Sequence, residues 1–235
     1  MASVIIVGAG PAGCEAAFAC ARAGTETLLL SQSLDTVFLD RYGTAPVAGD
    51  LPPLLQAAVA SAPGRVHRAA KAILEREDNI HLQQCSVSGL LKSRGGRLAG
   101  VSTWEGPAHE APLVALCTGS FLQARLRAGS LDETAGHPGE MAYDDLGDHL
   151  QAGGFAFRRE RVGFDGGSVE ASVLDPGEFD PEASVWLHRQ PGLAAAGFCR
   201  SGYLDFVQAA RAGAALGAEL ARAAGSGRQG SDTTA

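Results

Sequence analysis

A glycine-rich turn between an apolar strand and a small-residue helix constrains this chain most. Ser3 to Val7 reads SVIIV, a β-branched run suited to a strand buried on both faces of a parallel sheet. Gly8-Ala9-Gly10-Pro11-Ala12-Gly13 follows at once as a G-x-G-x-x-G. Cys14 to Ala23 (CEAAFACARA) then reads as a helix stopped by Gly24, and Glu26 to Ser31 as a second strand. Gly8 allows the tight turn out of the strand. Gly10 lets a diphosphate approach bare backbone, and Gly13 lets the helix lie close to the strand. The helix N-terminus presents unpaired N–H groups and a partial positive charge to an anion. These residues point to a dinucleotide; the competing reading is a purely structural glycine turn. The acid that ends the second strand in many such sites is missing. Ser31 and Gln32 stand there, and Asp35 is the nearest carboxylate. A hydroxyl or an amide can bond a ribose, so this feature does not separate FAD from NAD.

Composition excludes other classes. No apolar run reaches the ~18 residues of a membrane span, and the first residues have neither the basic region nor the cleavage site of a secretory signal. Acidic residues outnumber basic ones, 26 to 19, for a net charge of −7. That opposes free-standing, non-specific nucleic-acid binding, which needs cationic surface. Two stretches are locally basic, Arg65 to Arg76 and Arg158-Arg159-Glu160-Arg161. Both read as solvated faces, with a polyanion contact as the alternative. Cys14, Cys20, Cys85, Cys117 and Cys199 are widely spaced, with no C-x-x-C and no metal-type cluster. They read as buried thiols in a cytoplasmic protein, with no metal and no membrane partner.

Further along, Leu34 to Pro53 reads as a loop broken by Gly43, Pro46, Gly49, Pro52 and Pro53. Leu54 to Ala62 and Arg65 to Arg76 read as helices, and Ile80 to Gln84 as a third strand. Cys85 to Lys92, Arg97 to Glu105 and His109 to Ala111 suggest a β-meander turning at Gly95-Gly96. Leu113 to Cys117 is another buried strand, closing on Thr118-Gly119. Tyr143 to Gln151 reads as a helix, and Phe155 to Gly163 and Ser168 to Leu174 as strands of a smaller unit. Gly192 to Gly197 is a short strand and Tyr203 to Ala223 a long helix. This order predicts an α/β fold: a glutathione-reductase-type FAD-binding Rossmann fold with a parallel sheet, a β-meander and a small β-rich excursion. Residues 1–134 and 190–224 form the Rossmann unit, 135–189 the excursion, and 225–235 a disordered tail.

The opening VIIVGAGPAGCEAAFACARAGTETLLL resembles the start of the GidA/MnmG proteins, and Gly13-Cys14-Glu15-Ala16-Ala17 is more specific to them than the glycines are. Thr118-Gly119-Ser120-Phe121-Leu122 resembles that family's T-G-T-F-L, and Ala135-Gly136-His137-Pro138-Gly139-Glu140 its A-G-R-x-G-E. The run from Pro191 to Gly213 resembles its last strand and helix. The resemblance implies a flavoprotein with FAD as cofactor, related to enzymes that install a carboxymethylaminomethyl group on the wobble uridine of tRNA. Its C-N-P-x-x-G-G loop, K-T-G-T-P-P-R stretch, nicotinamide-binding insertion and helical tRNA-binding domain have no counterpart here, which implies a small stand-alone relative. It places the diphosphate over Gly8, Gly10, Pro11, Ala12 and Gly13, and the adenosine near Ser31, Gln32 and Val87. Thr118 and Gly119 border the cofactor, and Gly197 and Phe198 approach the flavin. It puts Cys14 among the phosphate contacts and makes Cys199 the cysteine nearest the flavin ring, more a packing residue than a redox partner. No catalytic residue can be named. Three functions stay open: a flavoenzyme of tRNA modification, a small oxidoreductase with another substrate, and a non-catalytic FAD-binding subunit with a protein partner.

Overall fold

The computed structural model describes residues 2–42, 49–182 and 185–229. Strand β1 (Val4–Val7) passes through the glycine turn into α1 (Pro11–Arg22) and β2 (Thr27–Ser31). Helices α2 (Pro53–Ser61) and α3 (Val66–Leu74) lead to β3 (Ile80–Gln84), and β4 (Val87–Lys92), β5 (Leu98–Thr103) and β6 (Ala108–Glu110) form the meander. Then come β7 (Leu113–Leu116), β8 (Arg125–Ala128), β9 (Leu131–Glu133), β10 (Ala135–His137), β11 (Glu140–Met141) and α4 (Asp144–Ala152). Strands β12 (Phe157–Phe164) and β13 (Gly167–Leu174) precede β14 (Leu193–Ala195), α5 (Phe198–Ser201) and α6 (Phe206–Gln229). Of the loop breakers, Gly43 and Pro46 lie outside the described residues, as do positions 230–235 of the tail.

The main sheet is parallel throughout, in the order β14-β7-β1-β2-β3. Strand β1 sits at its centre with no exposed side chain, which explains its unbroken VIIV. Alternate residues serve opposite faces. Val4 and Ile6 pack among residues of α1, α2, α3 and α6, whereas Ile5 and Val7 pack with the meander and α4. At roughly 1.5–3 kcal/mol per buried aliphatic side chain, this strand anchors both layers. Helix α6 lies tightly on α1: a Cβ at Gly213 would meet the Ala12 carbonyl oxygen at 2.0 Å, and one at Gly217 the Ala16 carbonyl oxygen at 2.5 Å.

A second sheet, β12-β13-β8-β9, forms the β-rich unit. It includes Arg125–Ala128 and Leu131–Glu133, which sequence order assigns to the Rossmann unit. Leu126 faces its buried side, opposite Val169. Helix α6 departs from expectation at both ends. It begins at Phe206 rather than Tyr203 because Asp205 and Gln208 form a capping box: Gln208 N–H donates to Asp205 Oδ1 (2.8 Å) and Asp205 N–H to Gln208 Oε1 (3.1 Å). It continues to Gln229, five residues into the segment read as disordered, because extending a formed helix needs no new nucleus.

Glu15 is fully buried and is the one acid of α1. Its carboxylate accepts the N–H groups of Leu54 (3.1 Å) and Leu55 (2.8 Å), two orphan donors at the start of α2. Loss of water outweighs those two bonds and raises its pKa to about 7. The folded chain therefore binds a proton here that the unfolded chain has released at the same pH. Between the ordinary carboxylate range and pH 7 this group stabilises the fold as pH falls, and that contribution is lost as pH rises through about 7. The upper bound is about 3 kcal/mol. Melting wild type and Glu15→Gln from pH 5 to 8 should show wild type losing ground to the variant as pH rises. Parallel pH profiles would refute the assignment.

Candidate functional site

The carboxyl ends of β1, β2, β7 and β14 open onto one crevice, the place where parallel α/β sheets bind ligands. Gly8 has φ +103°, and a Cβ there would lie 2.3 Å from the Cys117 carbonyl oxygen, so only glycine fits between β1 and the end of β7. A Cβ on Gly13 would lie 1.8 Å from the Gly8 carbonyl oxygen, and this absence of a side chain lets α1 dock on the turn. A Cβ on Gly10 would meet no atom within 4 Å. Its α-carbon borders the crevice, leaving room for a ligand against the backbone.

Gly10 caps α1 without a side-chain hydrogen bond. Pro11 has no N–H and Cys14 N–H donates to Gly10 O (3.0 Å), so the N–H groups of Ala12 and Gly13 are the ones left without an intrahelical acceptor, and the helix dipole adds partial positive charge. Amides without a cap at the edge of a crevice suit a phosphate-bearing ligand, and Thr118, whose hydroxyl is buried beside Cys199, forms part of the opposite lining. At the far end, Ser31 Oγ donates to Ser33 O (2.8 Å) and Gln32 Nε2 to Ser86 Oγ (3.0 Å).

Ten of the twelve predicted residues line this crevice: Gly8, Gly10, Pro11, Ala12, Ser31, Gln32, Thr118, Gly119, Gly197 and Phe198. Gly13 lies behind the turn in its packing role. Val87 borders an adjoining cleft with Ser86, Trp104 and Met141, and Tyr143 lines both spaces. Neither singled-out cysteine lines the crevice. Cys14 points into the core with Sγ donating to Ala9 O (3.2 Å), and Cys199 is buried with Sγ near Leu116 O (3.2 Å) and Ala196 O (3.4 Å). Cys117 is the cysteine at the crevice. Burial raises the pKa of all five thiols, so each stays protonated at neutral pH. Among the described residues no group of His, Cys, Asp and Glu is arranged to hold a metal, and no helix is long and apolar enough to cross a membrane.

Sequence reading missed the strap from Leu34 to Tyr42. Phe38 is buried with φ +58°, a left-handed conformation costing roughly 1–2 kcal/mol for a non-glycine residue. It is held by its N–H donating to Ala9 O (2.9 Å) and by edge-on packing against Phe206 (5.3 Å). Glu140, on β11, accepts from Thr36 Oγ1 (3.2 Å) and Arg41 Nε (3.3 Å) and pairs with the Arg41 guanidinium, which lies 4.9 Å over the Phe121 ring. Tyr42 OH bonds Ser120 Oγ. Burial lowers the pKa of His137, with Arg41 adding to the effect, so its imidazole is largely neutral near Glu140. The basic run on β12 is largely satisfied: Arg158 pairs with Glu160, and Arg159 and Arg161 pair with Glu170.

The sequence profile of the family described as "GIDA: Glucose inhibited division protein A" matches residues 3–40 and 55–182, more than half of the chain. The chain belongs to the GidA family. A GidA-related protein from Thermus thermophilus is 36% identical in its crystal structure, with a TM-score of 0.85 over 94% of this chain and 99% of that one. GidA of Aquifex aeolicus has the same fold at 15% identity, with a TM-score of 0.82 over 96% of this chain and 64% of that one. The tRNA uridine 5-carboxymethylaminomethyl modification enzyme MnmG of Geobacter metallireducens is 30% identical over 210 residues, 74% of this chain. This GidA relative thus spans about a third of the length of that enzyme (34%). GidA/MnmG proteins are FAD-binding, and this chain is an α/β Rossmann-type protein of that flavoprotein family.

Proposed function

We propose that the crevice is the FAD site and that the protein is a cytoplasmic flavin-dependent redox protein. The supporting observation is one continuous crevice lined from Ser31 to Gly197 that passes the uncapped start of α1. In this reading the backbone of Gly8 to Gly13 receives the diphosphate, with Gly10 leaving room for close approach. Ser31 and Gln32 orient the adenosine ribose, and Val87, reached past Tyr143, borders the adenine. Thr118 and Gly119 line the middle of the site, and Gly197 and Phe198 border the ring end. Bound FAD supplies reversible hydride and electron transfer; the chain supplies binding, orientation and a partly dry setting.

One observation favours a second reading, a non-catalytic FAD-binding subunit. No thiol is both at the crevice and able to ionise near neutrality, so the chain has no cysteine relay of its own to pair with the flavin. A tRNA substrate is the finer proposal drawn from the MnmG relative, and the paired arginines of β12 offer it little free charge. Anaerobic addition of NADH or NADPH to FAD-loaded protein separates the readings. Bleaching of the visible flavin band within seconds supports a redox role. A band that persists for hours while dithionite removes it supports the subunit.

A further inference from the structure

We infer that Glu140 is a positioning residue that fastens the strap Leu34–Tyr42 across the crevice and so sets how slowly the cofactor leaves; the inference rests on the FAD reading above. The strap is held at points belonging to three different walls. Phe38 N–H donates to Ala9 O in the glycine turn, Tyr42 OH bonds Ser120 beyond β7, and Thr36 and Arg41 bond Glu140 on β11. Phe38 is core and stays as the root of the strap. The polar ties lie toward the crevice, and Thr36, Arg41, Tyr42, Ser120 and Glu140 all line it. A dinucleotide lying along this crevice therefore has the strap beside it, and leaving through that side requires those ties to part.

Glu140 is the hub because both of its oxygens are engaged, by a hydroxyl and a guanidinium. The Arg41 and Glu140 side chains are only 12% and 18% exposed, so their attraction is stronger than that of a surface pair. Simple electrostatics gives the opposite expectation. A carboxylate lining a site for a diphosphate repels it, so on charge alone removing Glu140 should slow cofactor loss. The two ideas thus differ in sign.

The measurement is the release rate of FAD from loaded protein, followed by flavin fluorescence after dilution into an excess of an FAD-specific apo-oxidase as a trap. Glu140→Gln and Arg41→Met should each release FAD about tenfold faster, the loss of one charge-assisted contact. The double variant should be no faster than either single one. FAD uptake by stripped Glu140→Gln should be faster as well, because an unfastened strap opens the crevice in both directions, whereas a merely structural loss of binding would speed release alone. Unchanged or slower release in the single variants, or additive effects in the double one, would overturn the strap. A wild-type chain that takes up no FAD would instead remove the cofactor reading on which it rests.

Discussion

Gly10→Val gives a folded protein that no longer retains FAD. A Cβ at Gly10 meets nothing within 4 Å, and its φ of −74° suits any residue, so the ligand-free fold has room for the valine. The cost to the fold is that of a poor N-cap, about 1 kcal/mol. In the proposed FAD site, that empty space is where the diphosphate approaches the amides of α1. Two methyl groups there should weaken FAD binding by about 100-fold or more, because close contact to the backbone cannot be replaced by another route. Thermal melting and FAD titration of the same preparation check both halves. Retained affinity would mean that the diphosphate lies elsewhere.

Gly13→Ala should do the reverse and strike the fold. In a helix interior this change ordinarily stabilises by up to about 1 kcal/mol. Here the new methyl would lie 1.8 Å from the Gly8 carbonyl oxygen and 3.0 Å from its carbon, both backbone atoms of a turn fixed between β1 and β7. Neither can move without disturbing the central strand, so the clash decides the sign. A loss of about 4 kcal/mol, or roughly 10 °C in melting temperature for a chain of this length, follows. A melting point within about 2 °C of wild type would show that α1 can shift off the sheet at little cost.

The contrast between these glycines shows how much of the site was legible in the residues. The strand-turn-helix was readable because each of its positions carries a backbone requirement that few residues meet. The meander was readable from Gly95-Gly96, where Ser93 N–H donates to Arg97 O and Gly96 N–H to Ser93 O. The strap was not. Its segment has no period and reads as the start of a loop whose breakers all follow it, yet Arg41 finds Glu140 across 99 positions of sequence. No local signal marks a pair that only tertiary folding brings together. Glu15 lay between these cases: its motif singled it out, but its task at the start of α2 is visible only once the two helices meet. Cys14 was set among the phosphate contacts for a related reason, whereas Cys199 is buried as its packing reading expected. Motif position locates a residue along the chain, whereas burial decides which way its side chain points.

The FAD content of the purified wild-type protein tests the central claim most directly. Cofactor freed by heat should chromatograph as FAD at about one per chain, and stripped protein should take FAD up again while binding FMN, which lacks the diphosphate bridge, far more weakly. A colourless protein that ignores added FAD, or one that binds FMN equally well, would contradict the account.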